Sequence, residues 1–161
     1  MNDGRTDLRL WIRLCEAAMP GRLYHGTCSG FGDAIRQHGL RASDTKPKGG
    51  AGRQGVYLTD DYHTAVDYGE LVCDLKHHGE HDIVVFEVDV SKLDPGRMQP
   101  DDYDLQDAVQ GGEIAGSEPI DPRLRGYRRW DEVPWPISLA VTHQVFYAGS
   151  IPAGALRIVE P

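Results

Sequence analysis

Apolar and polar positions alternate along several short segments of this chain, and glycine or proline separates those segments. Such a pattern predicts strands joined by loops rather than a helical bundle. The clearest strand is predicted at residues 83–90, because its even-numbered positions are all apolar and would share one face. Further strands are predicted at residues 23–25, 56–58, 144–147 and 155–159. The last two are expected to form a hairpin around the turn between them.

Two segments repeat apolar side chains at i, i+3, i+4 and i+7, the spacing of an amphipathic helix. They span residues 7–18 and 31–38, and Gly39 is expected to end the second helix. A third helix is expected to begin with Asp60 as its N-cap and to end at Gly69, before a histidine-rich link.

Length and composition favour one globular domain over residues 1–161. The formal net charge of −8 argues against broad nucleic-acid binding. The chain has no run of about 18 apolar residues, and its polar N-terminus has no hydrophobic signal core, so no membrane partner is expected. The proline- and aspartate-rich residues 94–136 predict a long excursion with only short helices.

The three cysteines lead to a cytoplasmic prediction. At least one of them must stay unpaired within the chain, and their spacing matches no zinc pattern, so a reducing compartment is the simplest expectation. Cys73 does lie within nine positions of His77, His78 and His81. Surface histidines are the commoner meaning of such a cluster, and no metal site is predicted.

The stretch from Leu23 to Gly69 concentrates polar rings and glycines that suggest a binding cleft. His25 lies on one predicted strand, just before Gly26 and Thr27, and Tyr57 lies on the next strand. If these strands pair, both rings can project into one cleft, because alternate side chains of a strand share a face.

The polar loop at residues 41–54 connects these two strands and contains Lys46, Lys48 and Arg53. Two interpretations carry equal weight: a solvated connection, or a flap that closes over a ligand with phosphates. In the second case Arg53 would belong to the ligand-binding residues.

The order of these motifs resembles the NAD-binding core of the ADP-ribosyltransferases of the diphtheria-toxin and poly(ADP-ribose) polymerase type. The segments that carry the resemblance are Tyr-His-Gly-Thr at 24–27, Gly-Val-Tyr-Leu at 55–58, Tyr68 with the small Ala65 three positions before it, and HQVFYAGSIPAGAL at 143–156. The resemblance is specific between residues 23 and 69 and weak between residues 70 and 140.

This resemblance implies an α+β fold of two small, mostly antiparallel sheets around an NAD cleft, a split sandwich with helices at its edges. It implies a mono-ADP-ribosyltransferase that uses NAD as co-substrate, releases nicotinamide and modifies an unidentified protein, nucleic acid or small molecule, as a toxin, defence or modifying enzyme. The implied catalytic residues are His25, Tyr57 and Gln144, and the implied NAD-binding residues are His25, Gly26, Thr27, Arg53, Tyr57, Ala65 and Tyr68.

One position departs from the family. Gln144 aligns with a glutamate that, in the family, holds the 2′-hydroxyl of the nicotinamide ribose and stabilises the positive charge as nicotinamide leaves. Glutamine can accept that hydrogen bond, but it brings no charge. Either Gln144 suffices for a modest transferase, or a glutamate of the excursion replaces it, or the domain binds a nucleotide without transferring anything. The glutamates in question are Glu113, Glu118 and Glu132.

An RNA 2′-phosphotransferase, which also uses NAD, is the alternative enzyme of the same superfamily. Such an enzyme would need arginines around an RNA phosphate, and Arg22, Arg36 and Arg53 are available. The acidic balance of the chain weighs against an RNA substrate.

Overall fold

A computed structural model of the protein describes residues 13, 19–42, 53–111 and 121–159. The predicted helix at 7–18, apart from Arg13, lies outside the described residues, as does most of the predicted loop at 41–54. Glu113 and Glu118 lie outside them as well.

The described chain has an α+β fold, as the sequence predicts. Its strands are β1 (Arg22–Cys28), β2 (Val56–Thr59), β3 (Ile83–Asp89), β4 (Met98–Pro100), β5 (Gln144–Tyr147) and β6 (Leu156–Val159). Its helices are α1 (Gly32–His38), α2 (Tyr62–His77), α3 (Asp104–Gln110) and α4 (Trp135–Thr142). All strand pairs are antiparallel, and the order across the sheet is β4-β5-β2-β1-β3-β6.

The six strands form one sheet, which corrects the expectation of two separate sheets. Within it, β1 and β3 pair along all seven residues of each strand, and β2 and β5 pair along four. Between β1 and β2, however, the only paired residues are Tyr24 and Thr59. The sheet therefore consists of two three-stranded halves that meet at one point, and we call the boundary between β1 and β2 the seam.

The expected hairpin of the last two strands is wrong. β6 pairs with β3 at one edge of the sheet, whereas β5 lies between β2 and β4. The residues between β5 and β6 cross from one half of the sheet to the other. Ile151 holds this crossing in place: it is fully buried and exchanges two backbone hydrogen bonds of 2.8 and 2.9 Å with Leu40.

Helix α2 is longer than predicted and begins one residue later. Its N-cap is Asp61, whose side chain accepts a hydrogen bond from the backbone nitrogen of His63 at 3.1 Å, instead of Asp60. The helix continues through Gly69, where an end was expected, and reaches His77. Much of the predicted histidine-rich link is therefore helical.

Two glycines explain how α2 packs against β1. A Cβ atom on Gly69 would lie 3.2 Å from the backbone nitrogen of Thr27 on β1 and 2.6 Å from Cγ2 of Ile83 on β3, and one on Gly26 would lie 1.6 Å from the carbonyl oxygen of Ala65. Only glycine allows the two backbones to approach so closely. Gly69 thus serves the contact between helix and strand and does not end the helix.

The opposite face of the sheet supplies the main hydrophobic core. Its buried members include Leu23, Val56, Leu58, Val88 and Val145. The excursion at residues 94–136 contains the short helix α3, as expected, and the strand β4, which was not predicted. Together with α4 it forms a smaller hydrophobic cluster. Its buried members are Leu105, Val109, Leu124, Val133 and Ile137.

Cys28 and Cys73 form a disulfide that joins the end of β1 to α2, with their Cα atoms 4.9 Å apart. Cys15 lies outside the described residues. Among the helices of the described chain, none has the length and apolar character that crossing a bilayer requires.

Candidate active site

The seam opens into a cavity of about 740 Å³ that reaches α1 and α2, a size within the range of small-molecule sites. All predicted site residues except Arg53 contribute to its wall. They are His25, Gly26, Thr27, Tyr57, Ala65, Tyr68 and Gln144. They come from β1, β2, α2 and β5, so only the folded chain brings them together.

His25 reaches across the seam toward β2. The register that pairs Tyr24 with Thr59 would place His25 opposite Leu58, on the sheet face away from Tyr57, so the expectation of a shared face is wrong. The imidazole instead reaches sideways, and its Nδ1 lies 3.0 Å from the backbone oxygen of Tyr57. The ring therefore lies where a regular ladder would have continued between the strands.

The protonation of His25 follows from this contact. Burial lowers the pKa of His25, and the hydrogen bond with the Tyr57 carbonyl offsets only part of that effect. A neutral ring next to a carbonyl oxygen, which can only accept, must donate from Nδ1. Nε2 is then an acceptor, suited to a hydroxyl group of a ligand.

Tyr57 forms a fixed aromatic wall. Its hydroxyl donates to Oδ1 of the buried Asp102 at 2.6 Å, and its ring meets that of Phe146 edge to face with centroids 5.0 Å apart. Burial, followed by the hydrogen bond to Asp102, raises the pKa of Tyr57 well above its usual value. The phenol therefore stays protonated, which suits a packing role.

Arg53 supports Tyr57 from behind and does not line the cavity. Its Nη2 lies 3.1 Å from Asp102 Oδ1, and both Nη atoms donate to the backbone oxygen of Pro100 at 3.1 Å. The guanidinium stacks near Phe146, 4.0 Å from the ring centroid, and near Trp130, at 4.6 Å. In the described structure Arg53 is an anchor for β2 rather than a phosphate ligand.

Tyr68 and Gln144 both line the cavity and are in contact with each other. The Tyr68 hydroxyl donates to Gln144 Oε1 at 2.9 Å, and Gln144 Nε2 donates to the carboxylate of Asp104. Burial, together with the negative charge of Asp104, raises the pKa of Tyr68 to about 12. The Gln144 side chain is almost fully enclosed, since only 6% of the residue is exposed.

Sequence reasoning missed Asp104, which is the carboxylate in contact with the Gln144 position. Of the predicted substitutes, Glu132 lies in an exposed turn, where it accepts a hydrogen bond from the backbone nitrogen of Arg128 at 3.1 Å, and it does not line the cavity. A signal for a helix beginning near Asp104 was present in the sequence. Three of residues 101–104 are aspartates, and Leu105 and Val109 follow at helical spacing.

The basic side chains of the cavity wall also differ from the predicted ones. Arg22 forms an ion pair with Glu87, and Arg36 with Asp33, so both arginines proposed with Arg53 for an RNA phosphate are paired elsewhere. The wall instead includes His38, Arg41 and Lys76, which the sequence did not single out.

Residues 19–42, 53–111 and 121–159 hold no group of three or more His, Cys, Asp or Glu side chains arranged for a metal ion. Cys73, which lies near several histidines in the sequence, is occupied by its disulfide.

The cavity wall thus offers a ligand two tyrosine rings that stay neutral, an imidazole acceptor and an amide in contact with a carboxylate. No protein-family model matches this chain, and a comparison with curated proteins finds no match either.

Proposed function

We propose that the protein is an NAD-dependent mono-ADP-ribosyltransferase, a glycosyltransferase that acts on NAD. The observation that supports this most strongly is the common cavity of His25, Gly26, Tyr57, Tyr68 and Gln144, which are far apart in sequence. They are the positions that the resemblance selects from the order of motifs in the sequence.

Each group has a physical reason to serve NAD. Nε2 of His25 can accept a hydrogen bond from a ribose hydroxyl, and Gly26 lies in the cavity wall, where its backbone can meet the carboxamide. Tyr57 and Tyr68 offer ring faces to the cationic pyridinium, an attraction worth about 0.5–2 kcal/mol. Burial in a cavity also keeps water from the reacting ribose.

The proposed reaction breaks the bond between ribose C1′ and the nicotinamide nitrogen. The bonding electron pair leaves with nicotinamide, and C1′ becomes cationic in character. A nucleophilic atom of the acceptor then bonds to C1′ and loses its proton to solvent. The products are nicotinamide, a proton and the ADP-ribosylated acceptor, which can be a protein, a nucleic acid or a small molecule.

A binding module for NAD or ADP-ribose is the second candidate, and Gln144 favours it. An amide at this position supplies a hydrogen bond without a charge, which suits binding better than bond cleavage. The two candidates differ in one measurable product, because only the enzyme releases nicotinamide.

A cytoplasmic location stays a prediction, and the disulfide between Cys28 and Cys73 is the observation against it. Disulfides persist in oxidising compartments and are rare in the cytosol. Counting free thiols in protein taken rapidly from its native cells would decide between the two environments.

The test titrates NAD into the purified protein by calorimetry and follows nicotinamide by chromatography. Tyr68→Ala should weaken NAD binding by about 1–3 kcal/mol, the scale of a lost aromatic stack. Tyr62→Ala is the matched control, since Tyr62 lies on the same helix, is partly buried and does not line the cavity, although its ring meets that of the lining residue Tyr24. Binding with release supports the transferase, binding without release supports the module, and no binding refutes both.

A further inference from the structure

We propose that Asp104 supplies, through Gln144, the negative charge that the site needs opposite the cationic ribose. This inference rests on the proposed transferase function. Asp104 is a positioning residue in this account, because its carboxylate contacts Gln144 and does not line the cavity.

The orientation of the Gln144 amide follows from its partners. A carboxylate only accepts hydrogen bonds, so the atom facing Asp104 must be the nitrogen Nε2. The oxygen Oε1 then faces Tyr68, whose hydroxyl donates to it at 2.9 Å. A carbonyl oxygen has two lone pairs, and the second one can accept from a ribose 2′-hydroxyl at the cavity wall.

Hydrogen bonding to a carboxylate makes this amide a better acceptor than an isolated one. When Nε2 donates to an anion, electron density moves toward Oε1, because hydrogen bonds in a chain polarise one another. The carboxylate of the half-buried Asp104 is held one hydrogen bond from the amide, so its charge lies next to a residue of the cavity wall. Burial first, and then the negative charge of Asp104, raises the pKa of Tyr68, which also lines the cavity.

A shared frame holds Asp104 and Gln144 together, although they are 40 positions apart. Asp101 is fully buried, and its carboxylate accepts from the backbone nitrogen of Asp104 at 2.8 Å, which fixes the start of α3. Ser138 connects the two segments: its hydroxyl accepts a hydrogen bond from the backbone nitrogen of Asp101 and donates one to the backbone oxygen of Gln144, both at 2.9 Å. The carboxylate is therefore positioned by buried groups.

The first experiment removes the charge and keeps the shape. Asp104→Asn should lower kcat for nicotinamide release more than tenfold and leave KM for NAD nearly unchanged, because the charge acts mainly when the ribose becomes cationic. Asp107→Asn is the matched control: Asp107 also lies in the first turn of α3, but it is exposed, so its loss should leave kcat unchanged. Circular dichroism confirms that each variant is folded.

The second experiment moves the charge to Gln144. Combining Asp104→Asn with Gln144→Glu keeps both hydrogen bonds, since the new asparagine can donate to the new carboxylate, and it should restore kcat to within a few fold of the wild type. Gln144→Glu alone should give little gain, because two adjacent carboxylates share a proton. From the sequence alone, where no carboxylate is known beside residue 144, the same single change is expected to keep or raise turnover. A clear rise would therefore favour the expectation without Asp104.

The outcomes separate the two proposals. A wild-type protein that releases no nicotinamide refutes the transferase and this inference with it. An active wild type in which Asp104→Asn behaves like Asp107→Asn, or in which the double variant stays as slow as Asp104→Asn, refutes the role of Asp104 and leaves the transferase standing. Loss in Asp104→Asn with recovery in the double variant supports the inference, since a purely structural role would not depend on where the charge lies.

Discussion

The disulfide between Cys28 and Cys73 makes the most direct prediction about stability. It closes a loop with a sequence separation of 45 residues, which contains β2 and most of α2. In the chain-entropy account, cross-linking a loop of this size removes about 13 cal/mol/K from the unfolded ensemble, or about 4 kcal/mol at 25 °C. Breaking the bridge should therefore lower the free energy of unfolding by about that amount, less any relief of strain in the folded state.

Urea denaturation followed by circular dichroism measures this quantity. The oxidised wild type is compared with the double variant Cys28→Ser/Cys73→Ser and with wild type reduced by a thiol. Both perturbed proteins should show the same lower midpoint, because each loses the same cross-link. The midpoint of the double variant itself should not respond to the reductant.

Two results would contradict this reasoning. One is a wild type whose midpoint is the same with and without reductant. The other is mass spectrometry that finds Cys28 and Cys73 as free thiols in protein purified without reductant. A smaller effect in the expected direction would instead indicate residual structure in the unfolded chain, which reduces the entropy that the bridge removes.

Two further predictions concern β1. Gly26→Ala should destabilise the protein by about 1–3 kcal/mol and weaken NAD binding, because the new Cβ would collide with the Ala65 carbonyl oxygen. Thermal denaturation tests the loss of stability, with Gly154→Ala as the control, since nothing lies within 4 Å of the new atom there. The lowered pKa of His25 should make the folded state lose stability as pH falls below 6.5, the ordinary value at which the unfolded chain takes up the proton, down through the lowered folded value. Above pH 6.5 this contribution is complete, and His25→Asn, which cannot titrate, should show a smaller loss of stability on acidification.

Local features of the sequence determined most elements of this protein. Alternating apolar residues identified β3, and helical spacing identified α1, which ends at Gly39 with a φ of 78° in the left-handed region. These signals are readable because periodicity and turn conformations depend on neighbouring residues. The motif order also selected seven of the residues that line the cavity, although His25 reaches it by a different route from the expected one.

Contacts between distant segments decided the rest. The place of β6 beside β3, the seam and the pairing of Cys28 with Cys73 each join segments far apart in the chain, where local pattern carries no information. Gly69 resembles a helix end by its residue type, and only its contact with Ile83 shows why it lies inside α2.

The same reason explains the two differences at the site. Arg53 comes from a polar, basic loop whose composition is typical of a phosphate-binding flap. In the structure, an ion pair with Asp102 and contacts with two aromatic rings hold it behind Tyr57. In the sequence Asp104 is one aspartate among several, and it contacts Gln144 only because the folded chain brings the start of α3 next to the start of β5. The sequence predicted most of the groups proposed for the cleft. The tertiary structure decided which charged side chains contact those groups, because electrostatic pairing depends on distance in space.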